Sequence, residues 1–233
     1  MTKFVFSKRQ KKLRRRIVEI SYKRKFSHLG SCFSVIDLLD AIYQVKSTQD
    51  KFILSAGHSG IALYTILEQC GVLTDSQIAK LNLHPDRNPK LGIDVSTGSL
   101  GQGFSIAVGL ALADRTRTVY CETSDGECME GSVWEALRIA KLAKLTNLKI
   151  IVNVNGYGAY SEIPSNYLLS MFRGFGYHPR KVNGHNTTQV IKLLRHKESD
   201  TPLLIFAKTR VDQLPFLKGV DAHYYIMKDV DYQ

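Results

Sequence analysis

Asp125 and Asn155 each follow an apolar run, TRTVYCET and NLKIIVNVN, and stand 30 residues apart with a single helical segment between them. A right-handed crossover makes the two runs neighbouring strands, so both side chains converge beyond one end of a sheet. A carboxylate, an amide oxygen and a nearby backbone carbonyl are hard oxygen ligands suited to Mg²⁺, which shares its octahedral shell with phosphate oxygens. That chemistry is a metal–diphosphate site. The competing reading is structural: Asp125 caps a helix beginning near Met129, and Asn155 takes a left-handed turn position. The turns SDG, NVNG and AGH all fall at the carboxyl ends of apolar runs, where open α/β sheets place their ligands.

The elements that must hold these turns alternate. Leu13, Ile17 and Ile20 predict a helix from about Ser7 to Phe26, and SVIDLLDAIYQ predicts another over Ser34–Gln44 with Ser34 as N-cap. A short buried strand, Phe52–Leu54, breaks into AGHSG, and IALYTILEQCG is an apolar helix ending at Gly71. LTDSQIAKL is a short helix and HPDRNPKLG a loop. STGSLGQGFSIAVGLALAD is a glycine-rich turn feeding a small-residue helix, and SDGECMEGSVWEALRIAKLAK a loop entering an amphipathic one. NLKIIVNVN is apolar throughout, as in a strand buried on both faces. Helices over Asn166–Arg173 and Thr187–His196 and strands over Tyr177–Val182 and Pro202–Ala207 complete the alternation. The expected fold is α/β, a mainly parallel sheet flanked by helices.

The 233 residues suit one domain. At 44% hydrophobic and 23% charged the chain is neither collagenous nor disordered, and no apolar run approaches the roughly 18 residues of a membrane span. Four cysteines without CxxC spacing read as reduced thiols in a cytoplasmic protein. The net charge, 32 − 21 = +11, invites anionic ligands without choosing one. Lys8, Arg9, Lys11, Lys12, Arg14, Arg15 and Arg16 form either a solvated helix face or an electrostatic docking surface. No GxxxxGK[ST] element is present, and GSLGQG lacks the spacing and placement of a dinucleotide loop. His178, His185 and His196 read as surface residues.

The spacing of SDGECMEG (124–131) and NVNG (153–156) resembles the thiamine-diphosphate fingerprint, GDG followed by NN or DN. SHLG (27–30), KFILSAGHSG (51–60), HPDRNPKLG (84–92) and STGSLGQG (96–103) resemble successive blocks of transketolases in their proper order. The likeness runs from Ser27 to Tyr160 and weakens beyond, leaving His223 in LKGVDAHYY as a last matching position. It implies the thiamine-diphosphate-binding fold with thiamine diphosphate and Mg²⁺ as cofactors. Asp125, Asn155 and the Tyr157 backbone carbonyl would hold the metal, and the Gly126 amide would contact the diphosphate. His58 and His223 would be diphosphate-side donors, and Gly98 and Leu100 would approach the cofactor rings. His28 and His84, with His223, would serve the substrate channel and its proton transfers. Glu130 and Glu135 match acidic residues at the family's dimer interface, where they link two active sites.

Three positions depart from the pattern: Ser124 stands for the first glycine of GDG, Ser99 for the proline of TGPLG, and Ser27–His28–Leu29 for GHP. None removes a charged ligand. The 233 residues have room for the diphosphate-binding domain alone, so the pyrimidine-binding and C-terminal domains are expected on a separate chain. The resemblance thus implies one subunit of a split transketolase, an α2β2 heterotetramer transferring a two-carbon ketol unit from a ketose, usually a sugar phosphate, to an aldose. The alternatives are a non-catalytic or regulatory subunit of the same fold, another thiamine-diphosphate enzyme such as a 1-deoxyxylulose-5-phosphate synthase, and a basic nucleic-acid-binding module.

Overall fold

Apolar runs buried on both faces become the strands in the middle of the sheet, while the polar run Arg180–Asn183 takes one edge. A computed structural model of the chain describes residues 5–198 and 200–232. Among these, one five-stranded sheet runs in the order β1-β2-β3-β5-β4, formed by β1 (Lys51–Leu54), β2 (Val119–Ser124), β3 (Leu148–Val154), β4 (Arg180–Asn183) and β5 (Leu203–Lys208). Every pairing is parallel, with Ser124 of β2 opposite Asn153 of β3 and Val154 of β3 opposite Lys208 of β5. The expected α/β class is the observed one.

Each face of the sheet carries its own core. On one side Tyr120, Ile151 and Ile205 meet α1 (Lys8–Arg24), α2 (Leu29–Val45), α3 (Gly60–Gln69) and α8 (Thr187–Leu194). On the other, Cys121, Ile150, Val152 and Phe206 meet α5 (Gln102–Ala113), α6 (Gly131–Leu142) and α7 (Ser165–Gly174). The short α4 (Asp75–Ile78) adds Ile78 to the first of these cores, and α9 (Asp229–Tyr232) buries none of its residues. Helix α2 is buried continuously from Leu29 to Ile42, the mark of a helix enclosed by other elements rather than laid on a surface.

That enclosure corrects two expectations. The helix begins at Leu29, so Ser34 is not its N-cap but a fully buried interior residue. His28 occupies the cap position at φ 66°, without a side-chain cap bond. His185 is not a surface residue either: its Nδ1 lies 2.8 Å from Asp37 Oδ2, and Arg14 Nη2 lies 2.5 Å from the same oxygen. Burial alone would raise the Asp37 pKa, yet hydrogen bonds from His185 and Arg14 hold it below the usual carboxylate range. His178 and His196 are exposed, as expected.

The basic run of α1 divides likewise. Lys8, Lys11, Lys12 and Arg15 are exposed, while Arg9 pairs with Asp40, Arg14 with Asp37, and Arg16 with Glu68 and Asp75. Part of this apparent surface charge is therefore spent on tying α1 to its neighbours. Tyr177 precedes β4 instead of opening it, and its hydroxyl donates to the Leu137 carbonyl at 2.8 Å.

Candidate active site

The loops leaving β1, β2 and β3, with the segment after β5, meet beyond the carboxyl edge of the sheet around a cleft that opens to solvent. Gly126, Asn155 and Tyr157 form one wall. Asp125 lies fully buried behind it; its Oδ1 accepts from the Gly126 amide at 3.1 Å and its Oδ2 from the Gly156 amide at 2.6 Å. The carboxylate thus staples the end of β2 to the loop after β3, and it does not cap α6. Asn155 Oδ1 accepts from the Tyr157 amide at 3.0 Å, and the left-handed residue of this turn is Gly156, φ 93°, rather than Asn155. Both structural alternatives for the pair therefore fall.

Among the described residues Asp125 has no basic partner. Burial pushes its pKa up to about 7 against the pull of the Gly156 and Gly126 amides. An adjacent cation would favour the ionised form of such a carboxylate. The Tyr157 carbonyl oxygen stands 3.8 Å from where a Cβ on Gly126 would project, so it faces the same corner. One carboxylate, one amide oxygen and one backbone carbonyl in that corner fit a hard divalent ion whose remaining ligands come from a diphosphate.

The same cleft is lined by a cluster of imidazoles, His28, His58, His84 and His223. The ring of His28 lies 4.3 Å from that of His223, 5.4 Å from His58 and 6.2 Å from His84; His58 and His223 are 5.1 Å apart. The His28 amide donates to the His223 carbonyl at 3.0 Å, so the C-terminal segment is tied to the start of α2. Burial, followed by the neighbouring rings His223 and His84, lowers the His28 pKa to about 4. Burial puts His58 well below its ordinary value and also lowers His223. His28, His58 and His223, favoured neutral by burial, still each carry a ring N–H that an anion in the cleft could accept from. His28 Nδ1 is buried without a hydrogen-bond partner, an orphaned group at the cleft.

Gly98 and Leu100 line the same cleft. Gly98 sits at φ 146°, and a Cβ there would come within 2.9 Å of the His84 ring, so only glycine fits between ring and cavity. These orphaned, cradling and anion-ready groups fit thiamine diphosphate with its metal.

The remaining predicted residues lie apart. Glu130 stands at the N-terminus of α6, and Glu135 is exposed and pairs with Arg138 at 2.6 Å; neither lines the cleft.

Sequence reasoning missed Glu127. Buried, it accepts from the Ser55 hydroxyl (2.7 Å), the Gly101 amide (3.0 Å), the Thr123 hydroxyl (3.0 Å) and the Ser124 amide (3.1 Å). In return Ser124 Oγ accepts from the Glu127 amide at 3.2 Å. This is a capping box, and its signal, Ser-x-x-Glu, stands in SDGE. It also accounts for Ser124 in place of glycine: the hydroxyl is spent on its own turn.

The family model described as "Transketolase, thiamine diphosphate binding domain" matches residues 14–223. This chain belongs to the transketolase family. It is 33% identical over 224 residues to the 6-deoxy-6-sulfo-D-fructose transketolase subunit SqwG of Clostridium sp. (strain MSTE9), covering 84% of this chain and 82% of that one. To an apulose-4-phosphate transketolase subunit of Phocaeicola vulgatus it is 31% identical over 237 residues, covering 90% and 84% respectively. Human transketolase is 32% identical over 207 residues, 78% of this chain and 33% of the human one. Against full-length transketolases of this kind the chain spans about a third of the relative's length. Among solved structures, the transketolase of Campylobacter jejuni superposes with a TM-score of 0.83 at 26% identity, over 93% of this chain and 40% of that one.

Proposed function

We propose that this chain is the diphosphate-binding subunit of a two-subunit transketolase that moves a two-carbon ketol unit from a ketose, free or phosphorylated, to an aldose. The observation that carries the reading is one cleft lined by Asn155, Tyr157 and four histidines, with Asp125 buried behind it and bonded to the Gly156 amide. Asp125, Asn155 and the Tyr157 carbonyl would hold Mg²⁺, and Gly126, whose amide is given to Asp125 Oδ1 here, lines the cleft where the diphosphate would lie. His58 and His223 would each offer a ring N–H to the diphosphate oxygens. Gly98 and Leu100 provide a close backbone and an apolar face for the cofactor rings. When bound, thiamine diphosphate supplies the carbanion chemistry. The exposed His84 and the neighbouring His28 hold or move protons at the substrate hydroxyls, and the depressed His28 pKa leaves it a free base near neutrality.

The companion chain brings the pyrimidine-binding and C-terminal domains, and residues 1–233 form one diphosphate-binding domain. Two relatives covered over 82% and 84% of their length are named as transketolase subunits, which supports this division. An α2β2 assembly is supported by exposed apolar residues on α5 and α6, the second of which carries Glu135, with Ile106 and Leu112 among them. Free Cys32, Cys70, Cys121 and Cys128 suit the cytoplasm, and no helix among the described residues is long and apolar enough to cross a membrane.

Calorimetry of thiamine diphosphate with Mg²⁺, on this chain with its companion, tests the reading. Asp125→Ala should abolish metal-dependent binding and ketol transfer together. Unchanged affinity in that variant would remove the metal corner from the proposal.

A further inference from the structure

Asn155 can serve a cation only with its oxygen, because the amide nitrogen of the same side chain carries two protons and repels one. An asparagine has nearly the same shape after a half-turn of its amide, so something must decide which end faces the cleft. Ser34 is placed to do so. Its hydroxyl donates to the Ser31 carbonyl at 2.8 Å, so its single proton is committed within α2. The oxygen can then only accept. It accepts from Asn153 Nδ2 at 2.9 Å and, at a longer 3.4 Å, from Asn155 Nδ2. One donor and two acceptor sites are all that a hydroxyl has, and all are filled. Asn153 is fixed from its other end as well, since Thr209 Oγ1 donates to its Oδ1 at 2.5 Å.

On the reading of Asn155 as a metal ligand, which this inference extends, we propose that Ser34 is the positioning residue that turns the Asn155 oxygen toward the metal corner. The Tyr157 amide grips the same oxygen at 3.0 Å, but from the loop itself. Ser34 grips the opposite end from a helix buried along nearly its whole length, giving the ligand a reference outside the loop it belongs to. Groups of this kind, one bond removed from a metal, orient the ligands that touch it.

The inference separates orientation from mere packing through a double-mutant cycle. The Mg²⁺ concentration required for half-saturation is measured by calorimetry at fixed thiamine diphosphate, on the full chain with its companion, for wild type, Ser34→Ala, Asn155→Asp and the double variant. Ser34→Ala should raise the requirement about tenfold. A carboxylate offers oxygen at both ends, so in the Asn155→Asp background the same substitution should change it less than about twofold, because the amide-flip argument no longer applies. Ser34→Cys, similar in shape but a poor acceptor, should fall between serine and alanine and serves if the alanine variant does not fold. An equal penalty in both backgrounds would make Ser34 a packing residue and overturn the proposal, as would no penalty in either. Wild type that binds thiamine diphosphate without any metal dependence would overturn the metal reading itself, and the proposal with it; that outcome is distinct because it appears before any Ser34 variant is compared.

Discussion

Four imidazoles share the cleft, and among the described residues none of them makes an ion pair. The neutrality of the buried ones has a consequence for stability. The folded His28 stays unprotonated down to about pH 4, against an ordinary value of 6.5, and burial holds His58 well below that ordinary value too. The unfolded chain takes up those protons first. Stability carried by the neutral rings is therefore whole above about pH 6.5 and is lost as the pH falls toward 4. His58→Gln removes one such group, so its melting temperature should fall less steeply than that of the wild type across this window. Parallel slopes in thermal melts would count against a neutral buried His58. Glu127 sets a second test at this scale. Replacing it by glutamine puts an NH₂ group where the carboxylate now only accepts, from Thr123 and Ser124 at one oxygen and from Ser55 and Gly101 at the other, and the mismatch should cost about 1–3 kcal/mol in denaturant unfolding. A stability unchanged within error would mean that the four donors find other partners.

Helix α2 is the element on which the site is registered. It carries His28 at its cap, Ser31 and Ser34 toward the cleft, and Asp37 toward Arg14 and His185. Gly30 lies where the turn bearing His223 crosses it: a Cβ there would stand 3.0 Å from Ala222 Cβ and 3.2 Å from Val211 Cβ. Gly30→Val should destabilise the fold by about 1–3 kcal/mol and weaken thiamine-diphosphate binding by displacing His223; calorimetry showing wild-type affinity would break that link. The same helix shows what the sequence made legible. Its apolar content announced a helix, but Ser34 read as a cap because a hydroxyl at the edge of an apolar run ordinarily is one. Its real partners, Asn153 and Asn155, lie more than a hundred residues away and leave no local trace. His185 escaped for the same reason, its partner Asp37 being distant in sequence. The strands and the cleft-lining turns were readable because each is a local pattern of apolar run, glycine and polar tip. Glu127 was readable in principle as Ser-x-x-Glu, though its bonds to Ser55 and Gly101 were not.

At the scale of the whole molecule, helices α5 and α6 present an unusually apolar surface for a chain of charge +11. Leu112 on α5 is 42% exposed, and Leu142 on α6 is 71% exposed, on two helices that pack side by side. In the proposed assembly this face would be where chains meet. Light scattering should give a mass above that of one chain, and Leu112→Glu with Leu142→Lys should shift it down; an unaltered mass would move the interface elsewhere. The strand order carries a different implication, for synthesis. As the chain leaves the ribosome, β4 emerges before β5, its sole neighbour in the sheet, so it waits unpaired while the outer edge of β3 stays bare. Thr209, which braces Asn153, and His223, which completes the imidazole cluster, arrive later again. The binding pocket thus closes only after β5 and the segment bearing His223 have emerged, and capture of the cofactor would report that both are in place.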